Sequence, residues 1–131
     1  MTLHGARLLV GGEVAVAIRP EVAELLFTES FWEHIRNAAG LESFVLDQYE
    51  GDEIPPERLA PVAEAARALA ASYDRDGTLS ATVRWRLGQD GRRTDEMTAE
   101  APARDLHEAI LAVASAADHA RAAGVPLIAD L

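Results

Sequence analysis

Five carboxylates, Asp47, Glu50, Asp52, Glu53 and Glu57, fall within eleven residues of one another, with Tyr49 among them. Oxygen donors at that density could hold a hard cation or grip a basic protein surface. The spacing around Gly51 is wrong for an EF-hand loop, and no glutamate stands at the twelfth position such a loop needs. The run therefore points to a protein contact, with no metal and no cofactor expected. Its plainer explanation is a solvated loop, since a charge run most often keeps a surface wet.

A second constellation sets Arg84, Arg86, Arg92 and Arg93 beside Trp85, as a nucleic-acid site would. Strand alternation undoes it, because Trp85 would face away from Arg84 and Arg86, so stacking and phosphate contact could not share one surface. Pairing with Glu96 across a hairpin accounts for the arginines more simply. The four histidines, His4, His34, His107 and His119, are scattered. His107 and Asp118 lie three helical turns apart, too far for one ion. His119 with Arg121 suits the negative end of a helix. There is no GxSxG elbow, phosphate-binding glycine loop, HExxH motif or dinucleotide fingerprint. No catalytic residue is assigned.

The composition narrows the partner. Twenty-two acidic residues against 12 basic ones give a net charge of −10, and every basic residue is arginine. Such a surface repels phosphate backbones, so nucleic acid is a poor partner and a basic protein a better one. With no cysteine there is no disulfide framework and no thiolate ligand, which fits a reducing compartment. Neither a signal-peptide pattern nor an apolar run near ~18 residues is visible. The expectation is a cytoplasmic protein without a membrane span. At 131 residues the chain suits one domain with its own core.

The elements that must position these residues follow from periodicity. Leu79, Ala81, Val83, Trp85 and Leu87 alternate with polar residues, which predicts a strand over 79–87 with one core face. A three-residue loop over 89–91 pairs Val83 with Met97, Ala81 with Ala99, Leu79 with Ala101 and Arg84 with Glu96. It also makes 93–99 a polar edge strand. Gly11 and Gly12 predict a second hairpin over 7–10 and 13–18, with Leu9, Val14, Val16 and Ile18 inward.

Pro20 starts a helix with Val22, Leu25 and Leu26 on one stripe, and Ser30 and Glu33 match a capping box opening a second. That second helix carries Phe31, Trp32, Ile35 and Ala39 inward and closes at Gly40; one bent helix over 20–39 is the alternative. Phe44, Val45 and Leu46 predict a strand buried on both faces, and 51–56 an acidic loop. A helix from Pro61 follows, with 57–60 as an irregular turn, on the stripe Leu59, Val62, Ala66, Leu69 and Tyr73. The longest helix, 105–123, has one stripe of Leu106, Ile110, Val113, Ala117 and Ala120. Its other side holds Ala109, Ala112, Ser115, Ala116 and Ala122, small enough for a second element to approach closely. Gly124 ends it and 125–129 forms a terminal strand.

These elements give an α+β fold of about four helices on a mixed or antiparallel sheet containing two β-hairpins. The functional expectation is a small, soluble, acidic, non-enzymatic bacterial protein that binds another protein, as an immunity, antitoxin-like or accessory protein does. Its contact residues would be Asp47, Tyr49, Glu50, Asp52, Glu53 and Glu57. The alternative is a small-ligand binder or hydrolase-type enzyme whose carboxylate site forms only in the fold. A homo-oligomer is compatible with either.

Overall fold

Gly11 and Gly12, at φ 60° and 83°, supply the two left-handed residues of a tight hairpin turn between strands β1 (Ala6–Val10) and β2 (Glu13–Ile18). The structure is a computed structural model that describes residues 3–41, 51–72, 76–87 and 93–131; the side chains of 83, 85–87 and 93–95 are outside that description. Along it follow α1 (Pro20–Thr28), α2 (Phe31–Ala38), β3 (Gly51–Ile54) and a 3-10 turn (Pro56–Arg58). Then come α3 (Leu59–Ser72), β4 (Thr78–Leu87), β5 (Arg93–Pro102), α4 (Ala103–Ala123) and β6 (Leu127–Asp130). The architecture is α+β, as the periodicities predict, with both sheets antiparallel.

The sheets are not joined as expected. One has the order β2-β1-β6-β3 and the other is the β4–β5 hairpin alone. The reason lies in α1, where five consecutive residues, Val22 to Leu26, are buried. A helix covered all round needs partners on opposite sides. It packs against α2 and α4, while β4 and β5 cover it from the hairpin. The hairpin register is the predicted one, with Val83 opposite Met97, Ala81 opposite Ala99, Leu79 opposite Ala101 and Arg84 opposite Glu96. Ala99 and Ala101 are buried, Leu79 and Ala81 half-buried. The core face expected for Trp85 and the loop over 89–91 fall outside the described residues.

In the larger sheet β6, the last strand in the chain, lies between β1 and β3. The inward set of the first hairpin also differs from expectation. Ala6, Leu8 and Val10 are buried, Leu9 is half-buried, and Val14 is 51% exposed. A bulge causes the difference: pairing runs Leu8 to Val16 and then Leu9 to Val14, which leaves Ala15 unpaired. One extra residue inverts the alternation beyond it. Val16 and Ile18 keep the inner side while Val14 turns out. Residues 51–54, expected as loop, form β3, with Gly51 to Ile54 paired along Asp130 to Leu127.

Ser30 does not act as a capping box. It sits at φ 60°, ψ 30° with no side-chain capping bond, because it also ends α1: its N–H donates to the Phe27 carbonyl. A left-handed residue lets two helices meet without a loop, at a cost of about 1–2 kcal/mol for a residue with a Cβ. The inward set of α2, Phe31, Trp32, Ile35 and Ala39, is buried as expected, with Gly40 left-handed behind it. Helix α3 begins two residues before Pro61, whose missing N–H falls in the first turn, where it would have had no partner. The stripe of α4 is buried as predicted, and α3 packs along it. The strand expected over Phe44 to Leu46 lies outside the described residues, as does Tyr73. Among the described residues no helix is long and apolar enough to cross a membrane.

Candidate functional site: an open sheet face and its edge groove

The acidic run does not form a single surface where it is described. Asp52 is opposite Ala129 and Glu53 opposite Ile128, so strand alternation sends them to opposite faces of β3. Asp52 is half-buried on the core side, and its Oδ1 accepts the Glu53 N–H at 2.8 Å. Glu53 and Glu57 are exposed, Glu57 in the 3-10 turn. Asp47, Tyr49 and Glu50 lie outside the described residues. Among the described residues no group of three His, Asp or Glu side chains could hold a metal.

The other constellations resolve into packing and surface pairs. The Arg84 Nε donates to Glu96 Oε2 at 3.0 Å between two exposed side chains, a pair worth at most about 1 kcal/mol. His107 is buried, with Nδ1 2.8 Å from the Ala70 carbonyl oxygen. A carbonyl only accepts, so Nδ1 carries the proton and ties α4 to α3. An exposed pair, Arg67 with Asp118, joins the same helices. Trp32 Nε1 is buried with no hydrogen-bond partner among the described residues, and its ring meets Phe31 edge-on at 4.8 Å.

What the fold does assemble is a two-part surface that the acidic run does not announce. The first part is the outer face of the larger sheet. Val14, Leu9, Ile128 and Glu53 form one row across its four strands, and Ala17, Arg7, Asp130 and Gly51 the next. Val14 is 51% and Ile128 36% exposed. The face therefore carries an apolar row with a carboxylate at one end. Beside it, Arg7 Nε donates to Asp130 Oδ2 at 3.1 Å.

The second part is a groove between the outer edge of β2 and α4. Its floor at one end is Val16 to Arg19 with Asp105, Glu108, Ala109 and Ala112, enclosing about 260 Å³. At the other end Ala15 and Val16 face Ala112, Ser115, Ala116 and His119 around about 580 Å³. Arg19 closes the first end, donating from Nη2 to Asp105 at 2.8 Å and from Nη1 to Glu21 at 3.2 Å. The bond to Asp105, ahead of smaller contributions, raises the guanidinium pKa above its usual value. Of the small side of α4 read from the sequence, Ala109, Ala112, Ser115 and Ala116 line this groove and Ala122 does not; the bulge at Ala15 and the edge position of β2 had no local signal.

Comparison with protein-family models, curated proteins and solved structures finds no match.

Proposed function

We propose that the protein is a non-enzymatic protein-binding module whose contact surface is the outer sheet face, and that it engages a basic partner. The observation that supports this reading is the outer-face row of exposed Val14, half-buried Leu9 and exposed Ile128, ending on Glu53 and flanked by Asp130. An apolar centre with a charged rim is the anatomy of a protein interface. The −10 net charge steers a basic partner toward it and sets the salt dependence of association. An immunity, antitoxin-like or accessory role is the finer form of the same reading.

The test compares the wild type with a Val14→Thr, Ile128→Thr double variant as affinity baits in lysate from the native host. Both substitutions keep β-branched side chains at exposed strand positions, which preserves the fold. The expected result is a basic protein recovered by the wild type, lost by the variant and released as salt rises. Identical recovery by both baits overturns the assignment of this face.

A further inference from the structure

We propose that an extended segment of a basic protein adds to the outer edge of β2 as a further strand and lays alternate side chains in the groove along α4. Among the described residues no strand pairs with that edge, and Glu13, Val14, Ala15 and Ala17 on it are exposed. An edge strand presents N–H and C=O groups that another strand can satisfy. An added strand lies ~4.8 Å beyond β2, so side chains on its α4 side stand over the small residues Ala112, Ser115 and Ala116 of the groove wall. The site is separate from the outer-face row and does not require the contact proposed there.

The charges around the groove select the occupant. Glu13 is opposite Val10 in the β1–β2 ladder, and Val10 is buried. Residues directly opposite one another share a face, so Glu13 stands on the α4 side and marks one end. Glu108 lines the other. Both carboxylates are exposed and form no ion pair among the described residues. The nearby cation does not offset them, because Arg19 is already bonded to Asp105 and Glu21. His119, at the Glu13 end, makes no ion pair with it either. Between the two ends lie Val16, Ala112 and Ala116.

The groove is therefore acidic, apolar and acidic from end to end. Its complement is a strand whose α4-facing positions are basic, apolar and basic; an acidic strand would bring like charges together at both ends. From Glu108 to His119 α4 advances ~16 Å, the span of about five extended residues. That length sets three alternate side chains in the groove.

Fluorescence anisotropy of the full chain with a labelled peptide, Thr-Lys-Thr-Val-Thr-Lys-Thr, tests the proposal. Binding should saturate below about 1 mM and weaken as salt rises, and the same peptide with glutamate for lysine should not bind. N-methylation at alternate residues blocks the hydrogen bonds of one strand edge only, so one alternate set should abolish binding and the other leave it. Ala112→Leu fills the groove with a good helix former and should weaken binding at least about tenfold, with an unchanged circular dichroism spectrum. Glu13→Gln with Glu108→Gln, both at exposed positions, should remove most of the preference for lysine over glutamate. Val14→Thr with Ile128→Thr should leave peptide binding unchanged, so this site and the outer face fail separately. Saturating peptide should disperse self-association at this edge in sedimentation velocity. The proposal is overturned by an absence of saturable binding, or by binding indifferent to both methylation sets or to Ala112→Leu. It is equally overturned by a dimer that Ala112→Leu breaks and the peptide leaves intact, which assigns the groove to a second copy.

Discussion

Among the described residues the larger sheet ends in two edges of opposite character. The β3 edge is four residues long, and two of those four are Asp52 and Glu53; a short strand carrying charge discourages pairing with another chain. The β2 edge is six residues of sequence EVAVAI, charged only at Glu13. Its one irregularity is the bulge at Ala15, and its neighbours on α4 are mostly small. The acidic run that looked most functional in the sequence therefore guards an edge where it is described. The stretch EVAVAI has no strand paired to its outer edge among the described residues.

The largest effect should come from the strand that carries both edges. Leu127 is buried on β6 between Val10 and Ile54, so Leu127→Ala should cost about 2–5 kcal/mol in urea unfolding. It should also release β2 and β3 together in hydrogen exchange. Separate release would mean that the edges belong to different cooperative units.

Gly12→Val acts on one edge alone. A β-branched side chain at φ 83° should cost about 1–2 kcal/mol. Exchange should accelerate in β2 while β3 amides keep their protection; equal acceleration in both would break the distinction. Asp130→Asn removes the exposed pair with Arg7 on the outer face and should cost at most about 1 kcal/mol in the same unfolding measurement.

The smallest stability changes give the sharpest contrast. Ala17→Glu charges the β2 edge opposite Arg7, and Glu53→Val strips β3 of one charge beside Ile128. Each should leave stability within about 0.5 kcal/mol, as exposed substitutions usually do. Self-association, read by sedimentation velocity, should fall for Ala17→Glu and rise for Glu53→Val. Unchanged association in both would show that the two edges are equivalent.

Much of the local structure is legible because local periodicity encodes which side of an element is buried. The β4–β5 register follows from keeping Leu79, Ala81 and Met97 on one face, since a one-residue slip would invert every side chain. The α4 stripe, the two-glycine turn and the left-handed Gly40 and Gly124 follow in the same way.

Where two local readings were equally good, only packing chose. Leu8, Leu9 and Val10 are all apolar, so a period of two could not say which faces in. Pairing within the sheet with Leu127 and Ala129 of β6, which are also buried, decided for Leu8 and Val10. The Ser30 and Glu33 pattern matched a cap, but ending α1 at the same residue forced a left-handed backbone.

By itself, then, the sequence determined the kinds of element, most of their buried faces, the hairpin register and the acidic character of the surface. These depend on contacts a few residues apart. Tertiary structure decided that β6 enters between β1 and β3, more than seventy positions from either in the chain. It also decided that Gly51 to Ile54 becomes a strand despite residues that disfavour one, that α1 divides the hairpins between two sheets, and that β2 lies at the edge of its sheet beside α4 among the described residues. Each depends on which apolar surfaces meet across long loops, and the fit of distant surfaces leaves no periodic mark in either segment.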